Sequence, residues 1–221
     1  MLFDYGGTLD GPASHWLVRF LQLYRDAGVA LTFERFRDAF DYATRCGYRN
    51  PMVASFDLQA LVEFHVARQM EHLGLATAGV APQVVGTFVR AARAALADSR
   101  VILGRLHGRI VLGVVSNFYG NVERILDDAG LAALLDTIID SAVVGVSKPD
   151  PAIFALALQR IDCEPAEVLY VGDSFEKDVV GAHAAGLRTA WLVGTAEPQC
   201  RAPELVEVRL RTLADLEALV A

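Results

Sequence analysis

The sequence predicts an α/β fold, in which a doubly wound parallel sheet receives an inserted all-helical segment. Three observations support this prediction. From about residue 100 onwards, short apolar runs alternate with segments of helical periodicity, the pattern of a parallel sheet with crossover helices. Residues 14–97 contain only segments of helical periodicity. The chain has 221 residues, 53% of them hydrophobic, so it is long and apolar enough to bury a sizeable core.

A first strand is predicted immediately ahead of Asp4, and the helical segment follows it. Four helices are expected there: one that begins after a Ser14 cap, one over 33–46 behind a Thr32 cap, one over 57–73, and one from Pro82 to about Ala97. In the second helix Phe33, Phe36 and Phe40 recur at helical spacing, and we assign them to the core of the helical segment.

The other strands of the predicted sheet are short apolar runs, as expected for strands that are buried on both faces. They are RIVLGVVSN (109–117), TIID (137–140), EVLYVGDS (167–174) and LRTAWLV (187–193), with a closing edge strand and helix in VEVRLRTLADLEALV (206–220). Helices are expected between them at about 121–130, 151–161 and 175–185.

Composition and charge exclude several classes of protein. With 20 Lys and Arg against 27 Asp and Glu the net charge is −7, whereas nucleic-acid binding proteins carry a basic surplus. No stretch reaches the roughly 20 apolar residues of a membrane span, and MLFDYGG does not begin a signal peptide. The three cysteines fit neither a disulfide framework nor a zinc site. We therefore predict a cytoplasmic protein with no nucleic-acid or membrane partner.

Four polar clusters follow predicted strands or the loops after them. They are DYGGT (4–8), Ser116-Asn117, Lys148-Pro149, and Gly172-Asp173-Ser174 with Asp178. Each cluster alone is ordinary turn or cap chemistry. Ligands of open α/β sheets bind at the carboxyl ends of the strands, so the four clusters together predict one site.

These clusters resemble the four motifs of the haloacid dehalogenase-like (HAD) hydrolase superfamily, which is dominated by Mg²⁺-dependent phosphatases. FDYGGTLD is similar to the first motif, VVSN to the second, SKPDP to the third and VGDSFEKD to the fourth. The resemblance implies a Rossmann-like core (1–13 and 98–221) and a helical cap domain (14–97) inserted after the first motif.

The resemblance also implies roles for the matching residues. Asp4 would attack phosphorus and form an aspartyl-phosphate, which divides one difficult hydrolysis into two easier steps. Ser116 and Lys148 would stabilise the charge of the phosphoryl group, and Thr8 and Asn117 would help to bind it. Mg²⁺ would be held by Asp4, Asp173, Asp178 and the main-chain carbonyl of Gly6, because it prefers hard oxygen ligands.

The chain departs from the phosphatase pattern at residue 6. Phosphatases of this superfamily carry a second Asp there as the proton donor and acceptor, but this chain has Gly6. Phosphonate- and halide-cleaving relatives also lack that Asp, and a phospho-ligand-binding pseudoenzyme or regulatory subunit is a further alternative. Asp10 and His15 are the nearest replacements in sequence, although a turn residue and a residue beside a helix cap are the simpler readings.

The cap is expected to select the substrate, a small anionic phosphorylated molecule. Arg45 and Arg49 lie in TRCGYRNP (44–51), predicted as a loop between helices, and could bind a carboxylate or a second phosphate. A solvated loop explains the same residues equally well. The sequence leaves the substrate open, and it leaves the oligomeric state open between monomer and homodimer.

Overall fold

The computed structural model of the chain describes residues 1–75, 79–195 and 198–220, and it contains the predicted parallel sheet. The sheet has six strands: β1 (Leu2–Phe3), β2 (Gly113–Ser116), β3 (Thr137–Asp140), β4 (Leu169–Gly172), β5 (Arg188–Leu192) and β6 (Val208–Leu210). The strands lie in the order β3-β2-β1-β4-β5-β6, and each neighbouring pair is parallel. This confirms the α/β, Rossmann-like fold class.

The strand order reverses direction at β1, which has β2 on one side and β4 on the other. A crevice forms at such a reversal, outside the carboxyl ends of the strands, and open α/β sheets bind their ligands there. The residues that directly follow β1, β2 and β4 are therefore the ones that can meet.

Helices of the described residues cover both faces of the sheet or form the inserted segment. They are α1 (Trp16–Asp26), α2 (Phe33–Arg49), α3 (Leu58–Leu73), α4 (Val80–Leu106), α5 (Val122–Asp128), α6 (Ser141–Val144), α7 (Pro151–Ile161) and α8 (Val180–Ala184). A π-helical turn (Phe175–Val179) precedes α8, and the predicted closing helix is a 3₁₀ helix (Leu213–Leu219). Within the described ranges, no helix is both long and apolar enough to cross a membrane.

Two of the predicted helix caps can be compared with the structure. Thr32 caps α2 as predicted, because its side chain accepts a hydrogen bond from the main-chain N–H of Arg35. The prediction of Ser14 as the cap of α1 is wrong by one residue. His15 is the capping residue, and its Nδ1 accepts the N–H of Leu17 at 3.2 Å.

Two helices are longer than the sequence pattern indicated. The helix α2 continues to Arg49, so most of the predicted loop 44–51 is helical. The helix α4 continues to Leu106, so the predicted domain boundary at 97 and 98 falls inside one unbroken helix. The division into core and cap domains stays a prediction, and the polypeptide has no structural break at that point.

The inserted helices and one face of the sheet share a hydrophobic core. Phe3, Val114 and Val171 project from the sheet into the cluster that also contains Phe20 and Phe88 of the helices, whereas alternate strand residues pack against the opposite face. Phe36 and Phe40 are buried there as predicted. Phe33 is not, since 43% of its surface is exposed.

Gly47 marks a tight contact between α2 and the loop that follows β2. A Cβ atom at Gly47 would lie 2.9 Å from Cε1 of Tyr119, closer than two carbons can pack. We expect Gly47→Ala to lower the free energy of unfolding by about 1 kcal/mol, because an overpacking cost of about 1–3 kcal/mol exceeds the gain of at most about 1 kcal/mol in helix propensity.

Chemical denaturation of Gly47→Ala beside Gly86→Ala would measure this effect. Gly86 lies within α4, and a Cβ there would meet only the guanidinium of Arg90, at 3.5 Å. The control should therefore be stabilised by about 0.5–1 kcal/mol. Equal stabilisation of the two variants would contradict the close packing of α2 on Tyr119.

Candidate active site

The predicted site residues meet where the strand order reverses. Asp4 directly follows β1, and its main-chain N–H donates to the carbonyl of Val171 in β4 at 2.9 Å. Ser116 is the last residue of β2, and Asp173 directly follows β4. The carboxyl ends of three adjacent parallel strands thus deliver these side chains to one point.

Lys148 lies in the loop that precedes α7, and its side chain contacts residues from three other segments of the site. Its Nζ donates to Oδ1 of Asp4 at 2.7 Å, to Oδ1 of Asp178 at 2.6 Å and to the hydroxyl of Tyr170 at 2.8 Å. Burial opposes a positive charge at this position, but the carboxylates of Asp178 and Asp4 raise the pKa of Lys148 well above its usual value. The ammonium group therefore stays charged, with its three donors all engaged.

The main chain and side chain of Lys148 are held in place by neighbouring loops. Asn117 accepts the N–H of Lys148 at 2.7 Å and donates to its carbonyl at 2.8 Å. The hydroxyl of Tyr170 donates to the carbonyl of Val115 at 2.8 Å, which fixes it as an acceptor for the ammonium group. Tyr170 was missed by the sequence analysis because in a buried strand it has the pattern of an ordinary core residue.

Three carboxylates share this site with a single buried ammonium group. One oxygen each from Asp4, Asp173 and Asp178 lie within 4.8 Å of one another. Burial and the neighbouring Asp4 and Asp178 raise the pKa of Asp173 well above its usual value, and burial raises the pKa of Asp178 to about 6 despite the contact with Lys148. When all three carboxylates are ionised they carry more negative charge than Lys148 can neutralise, and this repulsion adds to burial in raising the pKa of Asp173 and Asp178.

The donor set fits a divalent cation with hard oxygen ligands. Oδ1 of Asp173 is buried and has no hydrogen-bond partner among the described residues, an arrangement that is costly unless a cation or water completes it. Gly7 permits this carboxylate to approach: its φ is +99°, and a Cβ there would lie 2.5 Å from Oδ2 of Asp173. Asp4, Asp173, Asp178 and the carbonyl of Gly6 are the groups that would hold Mg²⁺.

A comparison with protein-family models matches residues 3–186 to the family described as haloacid dehalogenase-like hydrolase. The chain belongs to this family. The match includes all four motifs and the inserted helices, so the resemblance seen in the sequence is confirmed. Magnesium binding is typical of the family's phosphatases.

Curated relatives of this HAD-like hydrolase include proteins that are named as phosphatases. A phosphoserine phosphatase of Thermus thermophilus is 35% identical over 113 residues, which cover 50% of this chain and 45% of that protein. The haloacid dehalogenase-like hydrolase domain-containing protein 3 of Mus musculus is 46% identical over 87 residues, which cover 39% of this chain and 34% of that protein. The chain thus spans between a third and a half of the length of these relatives.

Solved structures share the fold over nearly the whole chain. The HAD hydrolase YfnB of Bacillus subtilis, crystallised with magnesium, is 22% identical with a TM-score of 0.60, over 99% of this chain and 96% of that chain. A dehalogenase is 18% identical with a TM-score of 0.67, over 99% of this chain and 95% of that chain. At such identities the likeness establishes the fold alone, and the fold is common to phosphatases and dehalogenases.

The predicted site residues of this HAD-like hydrolase separate into two groups. One cavity of about 320 Å³ is lined by seven of them together with residues of the inserted helices; the seven are Asp4, Gly6, Ser116, Asn117, Lys148, Asp173 and Asp178. Three other predicted residues do not line it: Thr8, Arg45 and Arg49. Thr8 is buried with no hydrogen-bond partner for Oγ1 among the described residues, and the two arginines are exposed on α2.

The two candidate replacements for the missing Asp have different surroundings. Asp10 is fully buried outside the cavity, and it accepts hydrogen bonds from the N–H of Gly7 at 2.7 Å, from Nε1 of Trp16 at 2.7 Å and from Arg19 at 3.1 Å. Burial raises the pKa of Asp10. These contacts tie the first-motif loop to α1 and leave the carboxyl group no path to a substrate.

His15 does line the cavity, at the start of α1. His15 is exposed to solvent, yet desolvation of the ring by the surrounding side chains and the charge of Lys177 lower its pKa, so the ring is neutral near pH 7. Its Nδ1 accepts the helix-capping N–H of Leu17, which leaves the single ring proton on Nε2. A neutral ring in this tautomer can donate a hydrogen bond, but it has no free lone pair with which to act as a base.

Proposed function

We propose that this HAD-like hydrolase is a Mg²⁺-dependent phosphatase of small phosphate esters that acts through an aspartyl-phosphate at Asp4. The observation that supports this proposal best is the excess of carboxylate over ammonium groups at the reversal of the sheet. A phosphoryl group and three carboxylates repel one another unless a cation lies among them, and dehalogenation requires no such cation. The charge of this site therefore favours phosphoryl transfer over dehalogenation.

The chain's own groups account for positioning and charge. Oδ1 of Asp4 is held by Lys148, whereas Oδ2 has no hydrogen bond among the described residues and is the oxygen that would attack phosphorus. As the new P–O bond forms, the bond to the leaving oxygen breaks and its electron pair stays on that oxygen. Water then attacks the aspartyl-phosphate, releasing phosphate and the carboxylate of Asp4.

The other cavity residues would hold the phosphoryl group during both steps. Lys148 would offset the charge that the phosphoryl oxygens bring, and Ser116 would donate its hydroxyl to one of them. Bound Mg²⁺ would supply further neutralisation of phosphoryl charge. Asn117 acts through Lys148, whose main chain it holds, and is therefore a positioning residue.

Removal of divalent cations is the direct test of this proposal. We expect EDTA treatment followed by gel filtration to eliminate turnover of p-nitrophenyl phosphate, and Mg²⁺ to restore it, whereas NaCl of equal ionic strength should not. Phosphatase activity that is unchanged in the metal-free protein would overturn the proposed metal dependence. Release of chloride from 2-chloropropionate without any metal would support a dehalogenase instead.

A phospho-ligand-binding protein without activity is the second candidate, favoured by the absence of a side chain at Gly6. The two candidates give opposite results in one pair of measurements. A binding protein would bind a phosphate analogue such as tungstate in calorimetry and would turn over no p-nitrophenyl phosphate with Mg²⁺. The cytoplasmic location and the choice between monomer and homodimer stay predictions.

A further inference from the structure

The wall that α2 contributes to the cavity differs from the one that the sequence predicted. Phe40, Asp41, Thr44 and Tyr48 line the cavity, and their spacing places them along one stripe of the helix. Arg45, one position further round the helix, lies outside the lining. The inserted helices therefore present aromatic rings and a carboxylate to the substrate rather than arginines.

The aromatic part of this wall is continuous across several elements. Tyr48 packs on Tyr119 with ring centroids 4.8 Å apart, Tyr119 packs on Phe118 at 5.2 Å, and Phe118 packs on Trp16 at 5.7 Å. With Phe40, five aromatic side chains border the cavity. Such a wall is complementary to a flat, apolar group, because aromatic rings pack on one another in stacked or edge-on arrangements.

Among the described residues of α1 and α2, Asp41 is the only acidic residue that lines the cavity. It has no ion pair or hydrogen bond with any described residue, although Arg37 and Arg45 lie one helical turn to either side. His15, its neighbour in the lining, is neutral near pH 7 and supplies no counter-charge. The carboxylate is therefore available to a positively charged group on a ligand.

The cavity also has a cationic side chain without an acidic partner in the part of the chain that the structure describes. Lys177 lines the cavity from the π-helical turn and has no ion pair among the described residues, in contrast to Lys148, which two carboxylates neutralise. An anionic phosphoryl group at the sheet and a cationic group at α2 would complement this arrangement. A cavity of about 320 Å³ limits the ligand to a small molecule.

We propose that the leaving group is a small phenol with a cationic amino substituent. Its ring would pack on Tyr48 and Tyr119, and its amino group would lie at Asp41. This inference rests on the proposed phosphatase activity and specifies its substrate class. It also agrees with the absence of an acid at Gly6, because a phenolic oxygen departs more readily than an alkyl one.

Three aryl phosphates with phenols of nearly equal acidity test the inference. They are 4-(2-aminoethyl)phenyl phosphate, which is cationic at the far end, 4-ethylphenyl phosphate, which is neutral, and 3-(4-phosphonooxyphenyl)propionate, which is anionic. In wild type we expect kcat/KM to fall from the cationic to the neutral ester by about fivefold, the upper range for an ion pair exposed to solvent. The anionic ester should be the poorest substrate.

Substitutions on α2 locate the source of this preference. In Asp41→Asn the ratio of kcat/KM between the cationic and the neutral ester should fall to about one, and Asp41→Glu should restore part of it. Asp38→Asn is the matched control, since it removes the same charge from an exposed position of the same helix outside the cavity. That variant should keep the fivefold ratio.

Two further results keep the inference separable from the proposed function. Raising NaCl to 0.5 M should reduce the wild-type ratio, because salt screens an exposed ion pair, and this readout does not depend on the folding of any variant. Turnover of p-nitrophenyl phosphate with equal rates for all three esters would overturn the inference and leave the phosphatase proposal intact. No turnover of any ester would overturn both.

Discussion

Asp4→Asn should reduce phosphatase turnover to the background rate, the largest effect expected for any substitution in this protein. The amide has nearly the same shape as the carboxylate, but it is a poor nucleophile and a poor ligand for Mg²⁺. Loss of a nucleophile costs on the order of 10⁶ in kcat in well-studied hydrolases. Single-turnover measurements with p-nitrophenyl phosphate and Mg²⁺ would detect any residual activity.

The variant should remain folded, which separates loss of chemistry from loss of structure. The amide oxygen can still accept the hydrogen bond from Lys148, whose ammonium keeps Asp178 and Tyr170 as partners. Circular dichroism and thermal unfolding should resemble those of wild type. Mg²⁺-dependent turnover at more than a few per cent of the wild-type rate would disprove the role of Asp4 as the nucleophile.

Asp10→Asn is a matched control, because Asp10 is a second buried carboxyl of the same loop that lies outside the cavity. It accepts hydrogen bonds from Gly7, Trp16 and Arg19. Loss of its charge should lower the free energy of unfolding by about 1.5–3 kcal/mol, the range for hydrogen bonds that involve charged groups. Turnover should persist, in contrast to Asp4→Asn.

The sheet was predictable because its strands are short apolar runs whose ends carry polar motif residues. TIID matches β3 residue for residue, and VVSN places Ser116 at the end of β2. Parallel strands direct their carboxyl ends to the same edge of the sheet. Residues far apart in sequence, such as Asp4 and Lys148, could therefore be assigned to one site without knowledge of any contact.

The extent of α4 was missed because its last turns contain an apolar run that has two interpretations. Leu96, Ser99, Leu103 and Leu106 are buried at spacings of three, four and three, whereas Val101 is 54% exposed. This is the periodicity of a helix with one buried face. The sequence analysis ended this helix near Ala97, and the domain boundary that it predicted lies at the same point.

The cap wall was misassigned because glycine and proline were read as loop residues. Gly47 lies inside α2, where the close approach of Tyr119 requires a residue without a side chain, and the helix ends only before Pro51. With the helix continuous to Arg49, its phase turns Arg45 and Arg49 to solvent and Asp41 and Tyr48 to the cavity. Which side chains of α2 face the cavity can be known only from the structure, because a sequence pattern does not fix where a helix ends.

The rate of the proposed reaction should depend steeply on the acidity of the leaving group. Gly6 supplies no side chain that could protonate the departing oxygen. Asp10 is held outside the cavity, and the N–H of a neutral His15 ring is too weak an acid to replace the missing Asp. General acid catalysis contributes up to about 10⁴ in rate, or some 5 kcal/mol at 1.36 kcal/mol per decade. Aryl and acyl phosphates should therefore react well, and simple alkyl or sugar phosphates poorly.

Installing the missing acid tests this explanation directly, and neither the backbone nor the space for a Cβ at this position opposes it. Gly6 does not adopt the left-handed conformation, and a Cβ there would lie 3.6 Å from Nε1 of Trp16, an ordinary contact. Gly6→Asp should raise kcat/KM for alkyl phosphates by at least about 10²-fold and change that for p-nitrophenyl phosphate much less. Gly6→Asn, of the same size but unable to transfer a proton, should give no such gain.

The slope of log kcat/KM against the pKa of the leaving group is the measurement that decides between these outcomes. Wild type and Gly6→Asn should share a steep negative slope, because negative charge develops on the departing oxygen without a proton to neutralise it. Gly6→Asp should show a shallow one. If wild type has a shallow slope and hydrolyses alkyl phosphates at ordinary enzymatic rates, another group donates the proton. His15→Gln would then be the decisive variant, because His15 is the uncommitted N–H donor that begins α1 in the cavity wall.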